Sequence, residues 1–404
     1  MYAIRNITIF LFFSFFFFFS LESLAQNIDL RSLKKKLAQT NKSLTTEFTG
    51  IRLIPGKTFI IQEYEGYDSL SFYLPRRIFI DSFYISAFEV TNEQYRQFAE
   101  YIQDSILRKL MNYVKQGEDG NEYIDYTKKI DTKSTKIMES FRRIDICFVT
   151  PPQPITSIFY ELNGSARLNP DKLVYNYKES GKHCQVPVMP YIPILNQKQY
   201  PYSFKDSLFI NRIYDPAFKD HPVSGISFYQ AQAYCHWKTE QLKNALGNNT
   251  DFDVIITLPS LYEWEAAAAG ADCNLVEIEG AGDYIIRKTE GPESLATKRV
   301  NSYIAEWTTT NGDESFEGLR EYFLGRAGSW EAFTDSIKLA NPGSIGLPQT
   351  IDSFYLQMKN TKVVKAGTQT SNQFYLQPCV NRFYDPRAQH AAIGFRYVVL
   401  FKRK

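Results

Sequence analysis

The chain has 404 residues, with 46 Lys and Arg against 44 Asp and Glu, for a formal charge of +2. So balanced a surface gives no electrostatic case for nucleic acid or an anionic membrane as partner. Aromatic residues make up 15 % of the sequence; rigid rings of this kind mostly fill cores and otherwise serve protein or glycan contact surfaces.

The first 25 residues read as a secretory signal. Arg5 supplies the positive charge, Ile7 to Leu21 form the apolar run, and Ser23 and Ala25 are the small residues before a cleavage that leaves Gln26. The run is shorter than the ~20 residues that cross a bilayer as a helix; a signal retained as an anchor is the alternative. The exported chain is then 26–404, expected outside the cytoplasm, with no cysteine before Cys147 to carry a lipid.

Residues 26–50, with the triplet Lys34, Lys35 and Lys36, are polar and form a flexible leader. One domain follows over 51–404. An alternating strand is predicted over Ile51–Ile60, turning at Pro55-Gly56, and a second extended segment over Arg77–Ile85.

Three helices carry the same start signal, a hydroxyl followed three residues later by Gln or Glu: Thr91 and Gln94, Ser227 and Gln230, Ser260 and Glu263. The first places Tyr95, Phe98, Ala99, Ile102, Ile106 and Leu110 on one stripe and is predicted to stop near Gly117. The second aligns Ala231, Tyr234, Cys235, Leu242 and Ala245 and ends at Gly247; the third carries Trp264, Ala267 and Ala268 before Gly270. Between the first two lies an insertion at about 120–220, rich in Pro, Tyr and Asn, which reads as a loop with a task or as partial disorder. Two more irregular stretches cover 271–300 and 309–360, and no repeat of 20–50 residues is present.

The cysteines Cys147, Cys184, Cys235, Cys273 and Cys379 are odd in number, so at least one thiol stays outside any intrachain bridge, and their connectivity is open. None forms a Cys-x-x-Cys and the four histidines do not cluster with them, which argues against zinc. The adjacent His183-Cys184 lacks companion ligands, His236 reads as a packed side chain, and His390 as a satisfied surface or core histidine and not a base. No phosphate loop or nucleophile elbow occurs.

Several segments together resemble the formylglycine-generating-enzyme (sulfatase-modifying factor) domain: Pro55-Gly-Lys-Thr-Phe59, Glu89-Val-Thr-Asn-Glu-Gln-Tyr-Arg-Gln-Phe98, Pro222-Val-Ser-Gly-Ile-Ser-Phe228 running into Tyr234-Cys-His-Trp237, Leu258-Pro-Ser-Leu-Tyr-Glu-Trp-Glu-Ala-Ala267, Val363-Val-Lys-Ala-Gly-Thr368 and Ile393-Gly-Phe-Arg396. The resemblance implies a mixed α+β fold, related to C-type lectins, with long irregular loops and little regular secondary structure. Within the superfamily, Ile80-Asp-Ser-Phe-Tyr84, Tyr214-Asp-Pro-Ala-Phe218 and Arg382-Phe-Tyr-Asp385 are similar to the GldK/GldJ-type proteins of gliding motility and type IX secretion. That similarity implies a structural part of an outer-membrane-associated complex, with protein subunits as partners, membrane association through them, and oligomerisation open.

The family's oxidase chemistry uses copper(I) held by two thiolates, soft ligands for a soft ion. Counted from Thr368, the two thiol positions hold Ser371 and Leu376, and Cys379 is the single thiol nearby. The expectation is a pseudoenzyme with no catalytic residue and no cofactor. The rivals are a copper-dependent oxidase working through Cys379 and a remote thiol, and a glycan- or peptide-binding exported protein. Family members also hold calcium through a loop that here reads Tyr303-Ile-Ala-Glu-Trp307. Glu306 is the candidate ligand, with a structural salt bridge as its alternative role.

Overall fold

The computed structural model describes residues 50–67, 70–117, 122–129, 159–162, 165–168, 173–179, 181–190, 213, 216–247, 252–268, 304–315, 358–367 and 380–403. The signal, residues 26–49 of the leader, Cys147, Cys273, Ser371, Leu376 and Cys379 lie outside them.

The first predicted strand is two, β1 (Ile51–Ile54) and β2 (Lys57–Tyr67), separated by Pro55-Gly56. The second predicted segment is also divided, between β3 (Leu70–Ile80) and β4 (Phe83–Ser86). The two breaks meet. A Cβ on Gly56 would lie 2.8 Å from the amide nitrogen of Ser82 and 3.3 Å from the carbonyl carbon of Asp81, so only glycine lets the turns approach. Gly56→Ala is expected to lower stability by about 1–3 kcal/mol through forced backbone shifts. A urea midpoint equal to that of the parent chain would refute the close approach.

Two four-stranded sheets form the frame. One has the order β1-β4-β16-β11, with β11 at Phe252–Thr257 and β16 at Val398–Arg403. The other has the order β14-β13-β12-β15, from Arg382–Tyr384, Lys362–Lys365, Ala305–Asn311 and Ile393–Gly394. All neighbouring strands are antiparallel except β12 and β15. The strands β2 and β3 pair as a separate ribbon. Short hairpins form from β5 (Val114–Gln116) with β6 (Glu122–Ile124), β7 (Phe159–Leu162) with β8 (Ser165–Leu168), and β9 (Val174–Glu179) with β10 (Lys182–Pro187).

The three helices start where their caps predict. In α1 (Asn92–Leu110) the Thr91 hydroxyl accepts from the Gln94 N–H, and the Gln94 side chain accepts from the Thr91 N–H. Ser227 and Gln230 do the same for α2 (Phe228–Leu246), and Ser260 and Glu263 for α3 (Leu261–Ala268). Each satisfies amides that the first turn leaves without a helical partner. The end of α1 differs from expectation. It stops at Leu110 because Asn112 takes a left-handed φ of 56°. The Asn112 and Tyr113 N–H groups then bond back to the Lys109 and Arg108 carbonyls, closing the helix as glycine usually does. Gly247, with φ 69°, ends α2 as predicted.

The faces of α1 and α2 meet in an aromatic core. Tyr95 and Tyr234 stack with centroids 5.8 Å apart, Phe98 stands edge-on to Tyr234 at 5.9 Å, and Phe395 closes the group. Leu173, Tyr177, Val186 and Val188 join the same core, so part of the insertion at 120–220 packs inside rather than presenting a loop surface. The Tyr95 hydroxyl donates to the Val188 carbonyl at 2.8 Å, and the Gln230 amide donates to the carbonyls of Pro187 and Met189. His236 is a packed side chain as expected: its Nδ1 is 3.0 Å from the Tyr175 hydroxyl and its ring lies 4.6 Å from that of Tyr177. No helix among the described residues is long and apolar enough to cross a membrane.

Candidate functional site

The charged residues of the site come together where the two sheets meet. Backbone bonds fix the junction. The Val90 N–H donates to the Phe395 carbonyl, the Val223 N–H to the Val90 carbonyl, and the Ser86 N–H to the Tyr397 carbonyl. This holds Glu89, just past β4, beside Arg396 in the link between β15 and β16. Gly394 makes the link fit, since a Cβ there would lie 2.4 Å from the Val223 carbonyl oxygen.

Glu306, the second residue of β12, receives Arg396 from the link between β15 and β16. The Arg396 Nη2 donates to Oε1 at 2.6 Å and its Nε donates to Oε2, a bidentate pair. Oε2 also accepts from the Trp264 indole N–H at 2.8 Å. Glu89 Oε1 lies 3.7 Å from Arg396 Nη2 and has no hydrogen-bond partner among the described residues. Glu306, Arg396 and Glu89 are 0 %, 3 % and 5 % exposed, so two carboxylates share one guanidinium away from water. Burial pushes the Glu89 carboxyl up to about 7, against the opposing pull of Arg396 and with help from the Glu306 charge.

A second ion cluster adjoins the first. Lys365 on β13 stands opposite Glu306 in register. Its Nζ donates to Glu265 Oε1 at 2.6 Å and to Asn381 Oδ1 at 2.8 Å, wholly out of solvent. Trp264 joins the two, with its N–H on Glu306 and its ring 5.7 Å from the Lys365 ammonium. Ala366 follows with a left-handed φ of 61° and packs with Trp264 and Ala268.

This arrangement buries paired charge between the two sheets. Arg396 and Trp264 occupy both oxygens of Glu306, so its carboxylate serves as the anion of a buried salt bridge. Among the described residues, no group of three or more His, Cys, Asp or Glu is placed to hold a metal ion. Cys235 is buried in α2, where desolvation pushes its thiol far above the ordinary value, and Cys184 is half-buried on β10. Neither supplies the thiolate pair that copper(I) needs, and the segment where the family carries that pair lies outside the described residues. His390 is exposed, with its ring 5.5 Å from that of Tyr384 and its Nδ1 accepting from the Ala392 N–H. Partial desolvation and the neighbouring Arg382 lower its pKa below the usual histidine value.

The sequence analysis singled out Glu306 but missed Glu89, Arg396, Lys365, Glu265 and Asn381 as partners. One signal was available. Arg396 and Lys365 stand inside otherwise apolar runs, Ile393-Gly-Phe-Arg-Tyr-Val-Val399 and Val363-Val-Lys-Ala366, where an unpaired charge would be costly to bury.

The family model described as sulfatase-modifying factor enzyme 1-like domain matches residues 37–400. Among solved structures, the chain is similar to PvdO from Pseudomonas aeruginosa, with 9 % identity, a TM-score of 0.39, and coverage of 86 % of this chain and 93 % of that one. It is also similar to CarF (12 %, 0.36, 88 % and 98 %) and to Treponema denticola variable protein 1 (11 %, 0.36, 88 % and 95 %). No curated protein matches. With its mixed helices and sheets and a family match running from residue 37 to residue 400, the chain belongs to the sulfatase-modifying factor enzyme 1-like domain family and has the fold of formylglycine-generating enzymes.

Proposed function

We propose that the chain is a non-catalytic, exported structural component of an outer-membrane-associated type IX secretion or gliding-motility complex. The reading places it with the GldK/GldJ-type branch of its family, on the similarity of Ile80-Asp-Ser-Phe-Tyr84, Tyr214-Asp-Pro-Ala-Phe218 and Arg382-Phe-Tyr-Asp385. One observation carries the non-catalytic part: Ser371 and Leu376 stand where the oxidase chemistry requires sulfur. A hydroxyl and an isobutyl group give copper(I) no soft donor. On this reading Glu306 works as the partner of Arg396, and its fold-level service replaces calcium binding.

Two measurements test the proposal. Crosslinking in the native envelope followed by pull-down is expected to recover secretion-ring or motility subunits; recovery of a sulfatase substrate in their place would overturn the structural role. Anaerobic titration of the reduced chain with copper(I) is expected to show no tight stoichiometric uptake. Tight uptake abolished by Cys379→Ala would restore the oxidase reading.

A further inference from the structure

The two sheets are joined through a cluster whose charges do not balance. From the β4 side comes Glu89, from β12 comes Glu306, and from the β15–β16 link comes Arg396. The other groups turned toward it are the Trp264 N–H from α3 and the carbonyls of Ser86 and Ala87, each 3.4 Å from Arg396 Nη1. Lys365 on β13 is the nearest further cation, and its charge is matched by Glu265 of α3 at 2.6 Å. With both carboxylates ionised, the buried Glu89–Arg396–Glu306 group carries one uncompensated negative charge. One proton removes it. Both oxygens of Glu306 already accept hydrogen bonds, two from Arg396 and one from Trp264. Glu89, with Oε1 free of hydrogen bonds among the described residues, is where the proton goes.

We propose that this cluster is a proton-operated latch between the two four-stranded sheets, closed when Glu89 is protonated and weakened when it is ionised. The inference stands apart from the secretion role and holds whatever partner the chain has. Its direction follows from linkage. The folded carboxyl sits near 7 against 4.5 for the unfolded group, so the folded chain binds the extra proton. The stabilisation is complete below about 4.5, declines as the pH rises through the window between those values, and is gone above about 7.

The test uses the full chain and the near-isosteric Glu89→Gln, unfolded in urea across pH 5 to 8. Relative to Glu89→Gln, the unfolding constant of the parent chain is expected to rise by about tenfold per pH unit between 5 and 6.5 and to level off above 7. Parallel profiles for the two proteins overturn the latch. A second readout needs no variant: infrared difference spectra of the parent chain between pH 5.5 and 8 should show loss of a buried carboxylic-acid C=O band, and absence of that band also overturns it. The profiles are recorded with excess calcium and with chelator. If calcium removes the pH dependence, the cluster is a cation site and the latch is rejected.

Discussion

Arg396→Met should be the most damaging single substitution in the described structure. It removes the cation that two buried carboxylates share while keeping most of the side chain's volume. Glu306 loses a bidentate partner, retaining one hydrogen bond from Trp264, and Glu89 loses the guanidinium 3.7 Å away. Breaking a buried pair from one side costs about 3–5 kcal/mol, because the remaining charge stays desolvated. A domain of ordinary stability has about 5–15 kcal/mol in total, so the variant is expected mostly in the insoluble fraction or with a sharply reduced urea midpoint. Adding Glu306→Gln to the same chain should recover part of the loss, since a neutral amide can still accept from Trp264. A loss under about 1 kcal/mol for Arg396→Met alone, in the range of exposed pairs, would mean that water reaches the cluster.

How much of this could be read from the sequence depended on the span of the interaction. The helix starts were legible because Thr91, Ser227 and Ser260 meet their partners three residues on, and the side-chain spacing itself encodes the geometry. The end of α1 was not, because Gly117 offers the commoner stop signal while Asn112 takes the left-handed conformation at some cost. The packing of Leu173 to Val188 was hidden by composition. Tyr175 and Tyr177 alternate with Asn176 as a half-buried strand should, yet the surrounding Pro, Asn and Lys read as loop. Glu306 could be singled out alone, but its partner lies 90 residues away and that of Lys365 lies 100 residues away. Nothing in local periodicity links such positions; only the folded sheets bring them together.

The second large effect is expected at Lys365→Met. Lys365 and Glu265 form a pair that is 0 % and 7 % exposed at the side chains, with an Nζ–Oε1 distance of 2.6 Å. Methionine fills much the same space and removes the charge, leaving Glu265 without this ammonium beneath α3. The expected cost is again about 3–5 kcal/mol, read as a lower urea midpoint. Here the compensating change should work better than at Arg396. Lys365→Met with Glu265→Leu removes both charges of the pair together and puts an apolar contact in their place beside Trp264. Replacing both members of a buried pair by apolar groups of similar volume is often neutral or stabilising. The double variant should therefore recover most of the stability lost by the single one, leaving chiefly the Asn381 side chain, whose Nδ2 already lacks a hydrogen bond among the described residues. If the double variant is no more stable than Lys365→Met, the energy of this cluster resides in the Lys365–Asn381 bond and not in the opposed charges. The cycle of parent, two singles and double separates these cases, since the coupling term is large only when the charges act on each other.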